Sequence, residues 1–334
     1  MSRVTILGSG AWGTALGMHL ARRGHPVCLW TISQQEADTL NRDGENRAHH
    51  PGIPFPDGLR AVADLAVCCR DADALVVATP SHAVREVAKR ALPHLDHRPL
   101  VCTVAKGIEE GTSMTMSAIL EEVLGDELRH RVCALSGPSF AREVARGMPT
   151  AVTAAARSRE VAEELQHLFN GPTFRVYAST DIVGVEVGGA VKNVIAVAAG
   201  VSDGLGFGHN SRAALITRGL AEITRLGIRL GADRRTLYGL SCLGDLILTC
   251  TGDLSRNRTV GLALGRGEKL EQVLAGMNEV AEGVRNTRSV AALAAGLGVE
   301  MPITEQMRLV LYEAKDPRQA VVDLMSRPPR HEAE

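Results

Sequence analysis

The sequence predicts an α/β protein whose N-terminal part is a doubly wound parallel sheet and whose C-terminal part is all-helical. Three observations carry this. The chain opens on a strand, a glycine-rich turn and a helix; apolar strand segments recur to about Ala178; and after Asp181 the strand signals stop. With 334 residues, 45% of them hydrophobic, the chain exceeds one ordinary core. The expected division is residues 1–180 as a dinucleotide-binding, Rossmann-type domain and residues 181–334 as a helical substrate and catalytic domain.

The first unit is "RVTILGSGAWGTALGMHLARRGHPVCLWT". Val4 to Leu7 form a strand, Gly8, Gly10 and Gly13 make G-x-G-x-x-G, a helix continues through Ala15, Leu16, His19 and Leu20, Gly24 stops it, and Val27 to Trp30 form the second strand. One glycine permits the tight turn, one lets backbone approach a pyrophosphate, and one lets helix and strand pack closely. The helix N-terminus then offers free N–H groups to phosphate. In this strand–turn–helix setting the motif reads as a dinucleotide site; the bland reading is a glycine turn that only packs. At the end of the second strand, "WTISQQE" puts Thr31, Ile32 and Ser33 where an NAD-selective site often has an acid, and no arginine replaces it. Neither NAD selectivity nor a clamp for a 2′-phosphate follows.

Later strands are expected at Ala74 to Ala78, at Leu100 to Val104 ending in Lys106-Gly107, and in "RVCALSGPSF" ending at Ser136-Gly137-Pro138; "PTAVTAAA" and "TFRVYAS" add two more around a helix. Ligands gather outside the carboxyl ends of strands in such sheets, so Lys106 and the Gly137-Pro138-Ser139 turn are candidates for the substrate or nicotinamide side. A solvated loop lysine is the alternative for Lys106.

The helical part carries "DIVGVEVGGAVKNVIAVAAGVSDG", with Asp181 as N-cap and Gly204 beyond the end. Lys192 lies in its apolar run, and its helical neighbours are Gly188, Gly189, Ile195 and Ala196. Small neighbours let another surface come very close to the helix. A buried ammonium needs a partner or a lowered pKa, which suits proton transfer; a snorkelling lysine is the alternative. Asp245, a single acid in "CLGDLILTC", needs a donor or cation for the same reason. "TGDLSRNRTVGLALG" puts Ser255, Arg256, Asn257 and Arg258 before a helix, a phosphate cradle or a solvated basic turn.

Net charge is −1, which gives no electrostatic case for nucleic acid or an anionic membrane. No uninterrupted apolar run has the roughly 18–20 residues of a span, no signal peptide is read, and seven cysteines without a C-x-x-C pair suit reduced thiols in the cytoplasm. His49-His50 has no matching ligand cluster, so no metal is expected. "VAALAAGLGVEMPITEQMRLVLYE" suits packing within its domain or across a homodimer.

Together these motifs resemble the bacterial NAD(P)-dependent glycerol-3-phosphate dehydrogenase family over nearly the whole chain. The resemblance rests on "GSGAWGTALG", "ATPSHAVREV", "AKGIE", "SGPSFAREVA", "GGAVKNVIAVAAG", "ALITRGLAEI", "CLGDLILTCTGDLSRNR", "AEGVRNT" and "MPITE" in this order. It implies interconversion of dihydroxyacetone phosphate, a small phosphate substrate, and sn-glycerol 3-phosphate for phospholipid synthesis, using NAD(P)H. It implies Lys192 as catalytic acid/base, with the small residues around it expected to let substrate and nicotinamide approach its helix; Lys106, Gly137, Ser139, Asp245, Ser255, Arg256 and Asn257 on the substrate side; and Ala11, Trp12, Lys106, Ala141, Arg256, Val280 and Glu282 at the dinucleotide. Two departures stand out: Thr31-Ile32 replaces a basic residue or histidine, and Ala11 a serine. With no acid read at the ribose end, a weak preference for NADPH is expected. The alternatives are another hydroxyacid or phosphogluconate dehydrogenase and a catalytically silent dinucleotide sensor; a sensor is expected to lose Lys192 or Asp245.

Overall fold

The computed structural model describes residues 1–95, 97–277, 281–329 and 331–332. Among these, eight strands form one sheet: β1 (Val4–Leu7), β2 (Val27–Trp30), β3 (Leu59–Val62), β4 (Ala74–Val77), β5 (Leu100–Thr103), β6 (Val132–Ser136), β7 (Thr150–Ala156) and β8 (Phe174–Ser179). Their order is β3-β2-β1-β4-β5-β6-β7-β8. All pairs are parallel except β6–β7, so the expected parallel sheet carries one antiparallel joint. The chain passes from β6 to β7 through the five-residue helix Ala141–Ala145, and β7 enters the sheet running the opposite way. The order reverses between β1 and β4, and ligands bind at such a switch point. β1, β2, β4, β5 and β6 are buried along their length, which is why they read as continuous apolar runs.

Helix α1 (Ala11–Arg22) begins earlier than the pattern suggested, with Gly13 inside its first turn. A Cβ on Gly13 would lie 2.0 Å from the Gly8 carbonyl oxygen, and Gly8 itself has φ +125°. The turn therefore closes only with glycine at both places. The strand β3 was not anticipated; "GLRAV" is short and includes a charged residue. The edge helix α2 (Gln34–Asp43) starts at Ser33, whose hydroxyl accepts from the Glu36 amide.

The helical region is organised around one central helix, Ile182–Gly204, capped by the Asp181 carboxylate as expected. It includes Gly204, and the turn out of it uses Gly206 at φ +82°. Its most apolar window has mean hydropathy 1.6, enough for a span, but 94% of that window is buried in protein. Helices His209–Arg229, Asp245–Thr251, Arg256–Gly265 and Glu282–Gly296 pack around it. The apolar C-terminal stretch packs inward, with Val290, Ala294, Met301, Ile303, Met307 and Val310 in the same core. A second copy is therefore not required to cover it.

Two glycine pairs, Gly200/Gly204 and Gly261/Gly265, set how closely the central helix crosses Arg256–Gly265. A Cβ on Gly200 would meet the Arg258 carbonyl oxygen at 2.1 Å, and one on Gly261 the Val197 oxygen at 2.0 Å. Backbone cannot yield as a side-chain tip can, so a methyl group must push the helices apart. Gly200→Ala gains about 1 kcal/mol of helix propensity but strains a packed crossing by more. The expected net loss is at least about 2 kcal/mol, read as a lower urea midpoint at unchanged slope; unchanged stability would mean the crossing is looser than described.

Candidate active site

The carboxyl ends of the strands and the helical region enclose a cavity of about 500 Å³. Its floor is an ion cluster made by both halves of the chain. Lys106 follows β5; Lys192 projects from the middle of the central helix; Asp245 is the first residue of Asp245–Thr251, directly after a π-helical turn, Leu240–Gly244. One Asp245 carboxylate oxygen accepts from Lys192 Nζ at 2.7 Å and the other from Lys106 Nζ at 2.7 Å. Lys192 also donates to the Thr249 hydroxyl at 2.8 Å, one turn after Asp245. Thr249 went unread in the sequence; its only signal was the i,i+4 spacing from Asp245.

Side-chain exposure falls from 19% at Lys106 to 7% at Lys192 and 2% at Asp245, so the cluster reaches the cavity mainly through the lysines. Burial is the largest influence on Lys192 and lowers its pKa; Asp245 opposes this and the Lys106 charge adds to it, leaving a value of about 8 instead of 10.5. Burial pushes the Asp245 carboxyl up, but the two ammonium groups outweigh it and hold the carboxyl below its ordinary value. The cluster thus keeps one net positive charge.

The glycines beside Lys192 do a different job from the one expected. A Cβ on Gly188 would meet Cys242 Cβ at 2.5 Å, and one on Gly189 would meet the Ser136 hydroxyl at 3.1 Å and the Lys106 stem at 3.5 Å. The close surfaces are protein, not an opening for ligand. Small residues at 188 and 189 let Lys106 and the Asp245 segment converge on Lys192.

Gly10, Ala11, Trp12, Lys106, Ser139, Ala141, Lys192, Asp245, Ser255, Arg256, Asn257 and Glu282 all line the cavity. Gly8 and Gly13 shape the turn behind it. Gly137 sits behind Lys106: its carbonyl oxygen accepts from the Lys106 ammonium at 3.4 Å and from the Ser139 hydroxyl at 2.9 Å. A side chain at 137 would strike Val152 Cα at 2.8 Å, with φ at +151°. Val280 lies outside the described residues.

The residues of the anticipated cradle separate into different tasks. Ser255 caps the Arg256–Gly265 helix, accepting from the Arg258 amide. Arg256 is exposed in its first turn, at the cavity wall. Arg258 turns away and pairs with Asp203 and Asp253, so it leaves the cradle. Buried Asn257 donates to the Asn193 amide oxygen at 2.9 Å and accepts from the Gly283 N–H at 2.8 Å. Glu282 accepts from the Ser81 N–H and hydroxyl, tying the turn after β4 to the helical region. Asn286, also unread, donates to the carbonyl oxygens of Lys106 and Ala190.

The cavity suits a dinucleotide. The N-terminus of α1 carries no side-chain cap, and nothing lies within 4 Å of where a Gly10 Cβ would be. Trp12 Nε1 and Thr79 Oγ1 are buried at its wall without hydrogen-bond partners among the described residues. Such groups are rarely left so unless a ligand or water serves them. Among the described residues no cluster of three metal-ligating side chains occurs.

The N-terminal profile of NAD-dependent glycerol-3-phosphate dehydrogenase matches residues 3–162, and the C-terminal profile matches residues 181–322. The chain belongs to this family. It is 52% identical over 324 residues to a glycerol-3-phosphate dehydrogenase [NAD(P)+] of Syntrophotalea carbinolica, covering 97% of each chain. A namesake from a Geobacter species is 51% identical over 325 residues, again with 97% of each covered. The crystal structure of glycerol-3-phosphate dehydrogenase from Coxiella burnetii superposes with a TM-score of 0.93 at 41% identity, covering 98% of this chain and 99% of that one.

The ion cluster predicts a pH-dependent stability defect. Asp245→Ala leaves Lys192 buried without its anion, which costs about 3–5 kcal/mol while the lysine stays charged. Lys192 sheds this penalty by deprotonating, and its pKa in the variant falls further below 8. The loss relative to wild type is therefore greater at pH 6 than at pH 9, as paired urea titrations would show; an equal loss at both would mean the carboxylate does not hold a charged lysine.

Proposed function

We propose that the protein catalyses the reversible NAD(P)H-dependent reduction of dihydroxyacetone phosphate to sn-glycerol 3-phosphate, which supplies the backbone of glycerophospholipids. The observation that carries this reading is the Lys106–Asp245–Lys192 cluster, set in one cavity with a glycine turn and the basic first turn of a helix. About half identity to dehydrogenases of that name supports the substrate. In this reading residues 1–180 bind the dinucleotide and residues 181–334 supply the acid/base and the phosphate site.

The glycine turn and the free N–H groups of α1 hold the pyrophosphate, with Ala11, Trp12, Ala141, Lys106, Arg256 and Glu282 along its walls. When bound, reduced nicotinamide supplies the hydride that the keto carbon accepts. Lys192 then protonates the carbonyl oxygen; in the oxidising direction the neutral amine takes the proton back. Lys106 and the net positive charge of the cluster stabilise negative charge developing on that oxygen. Asp245 orients both lysines, and its remaining lone pairs accept from the terminal hydroxyl of the substrate. Gly137 and Ser139 act through Lys106, which they hold from behind. Arg256 grips the phosphate with the N–H groups of its own helix turn, while Ser255 and Asn257 keep that turn in place.

A cytoplasmic location belongs to the same proposal. All seven cysteines are buried and unpaired, which suits a reducing compartment.

Lys192→Ala is expected to lower kcat by about 10²–10⁴ with little change in coenzyme affinity. Near-normal turnover in a folded variant removes Lys192 from the mechanism. In the wild type the two directions should depend on pH in opposite senses. Reduction needs the ammonium and falls above about pH 8; oxidation needs the amine and rises toward about pH 8. Profiles of kcat/KM in both directions check this, and parallel slopes would contradict it.

For the phosphate, Arg256→Ala should reduce kcat/KM for dihydroxyacetone phosphate by about 30- to 1000-fold, roughly 2–4 kcal/mol. Unphosphorylated dihydroxyacetone, which never used the arginine, should lose little. Equal losses on both substrates would place the phosphate elsewhere.

A further inference from the structure

The end of β2 lacks an acid in sequence, but not in space. Glu36, in the first turn of α2, folds back over that strand end. Its Oε1 accepts from the Ser9 hydroxyl, inside the glycine turn, at 2.6 Å. Its Oε2 accepts from the hydroxyl of Thr31, the residue directly after β2. The carboxylate thus bridges the carboxyl ends of β1 and β2, which are paired in register from Val4↔Val27 to Leu7↔Trp30.

The position is built, not incidental. Thr31 is 1% exposed, so its hydroxyl has a fixed direction. Ser9 is fixed through its carbonyl oxygen, which accepts from the Thr14 hydroxyl at 3.0 Å and from the Asn46 amide at 2.8 Å. Asn46 is buried and also donates to Thr14. The Ser33 cap fixes the start of α2. No lysine or arginine forms an ion pair with Glu36 among the described residues, so its charge is not neutralised by the protein. Ile32, on the same loop, is 79% exposed and offers no cation.

We infer that Glu36 is the specificity-determining residue for the coenzyme and makes the enzyme selective for NADH over NADPH. The inference rests on the dinucleotide reading of the glycine turn. In a sheet of this order the adenosine ribose lies beside the end of the second strand, where a carboxylate accepts from ribose hydroxyls. A carboxylate has about four acceptor positions, and Ser9 and Thr31 use two, leaving two for the 2′- and 3′-hydroxyls. A 2′-phosphate brings no donor for them and about −1.5 to −2 charges at neutral pH, as phosphate monoesters do. The weak preference for NADPH expected from Thr31-Ile32 assumed that no acid reached this place; Glu36 removes that premise.

Calorimetric titration of the full-length protein with NADH and NADPH tests this, with ADP and 2′,5′-ADP as probes that carry only the adenosine end. The wild type should bind NADH at least about 30-fold more tightly than NADPH, some 2 kcal/mol at 1.4 kcal/mol per tenfold. ADP should exceed 2′,5′-ADP in the same sense. Glu36→Gln should shrink both ratios by about tenfold or more, since it removes the charge and keeps the shape. Ile32→Arg, an exposed substitution that leaves the carboxylate in place, should shrink them by supplying a cation. Wild-type affinities for the two coenzymes within about threefold of each other would overturn the inference alone. So would ratios unmoved by both variants. Failure of the wild type to bind any of the four probes would overturn the dinucleotide reading, and the inference with it.

Discussion

One carboxylate shared by two lysines is the constraint on which the rest of the site depends. Asp245 is almost fully buried, and so is Lys192. Neither could stay charged there alone, because desolvation of a lone ion costs more than folding leaves in hand. Together with Lys106 they form a cluster with one excess positive charge, and the most exposed member is a lysine facing the cavity. That is the polarity a developing oxyanion requires. The same cluster lowers Lys192 toward neutrality without discharging it, since burial and Lys106 pull its pKa down while Asp245 holds it up.

The cluster also explains features that look unrelated to chemistry. Lys106 comes from the sheet, while Lys192 and Asp245 come from the helical region, so the site exists only where the two meet. Glu282 on Ser81 and Asn286 on the Lys106 carbonyl fasten that junction. Glycine at 188 and 189 lets Cys242 and the Lys106 stem reach the central helix. Asn257 links Asn193, the residue after Lys192, to the start of the Glu282–Gly296 helix. The glycine pairs at 200/204 and 261/265 then let the helix that presents Arg256 lie close to the one that presents Lys192.

Much of this was legible in the sequence, for identifiable reasons. Buried parallel strands are apolar throughout, so β1, β2, β4, β5 and β6 declared themselves; β3 did not, because a short edge strand with an exposed Arg60 has no such pattern. Lys192 and Asp245 stood out as ions in apolar runs, a signal that works because burying an unpaired charge is so costly. What pairs with what was not legible. The bond from Lys192 to Thr249, the departure of Arg258 to Asp203, and the bridging of Ser9 and Thr31 by Glu36 all join segments through tertiary packing. Glu36 in particular lies six residues beyond Trp30, the strand end where an acid was sought, and only the capped first turn of α2 returns it there.

The direct test of the account is the pKa of Lys192 itself, measured by NMR on protein carrying isotope-labelled lysine side chains, with Lys192→Met to assign the signal. Lys192 should titrate near pH 8 in the folded enzyme, well separated from the exposed lysines. A Lys192 signal that titrates with the exposed lysines at about 10.4 would contradict it, because an ordinary surface-like lysine cannot be the buried, carboxylate-held acid on which the mechanism rests.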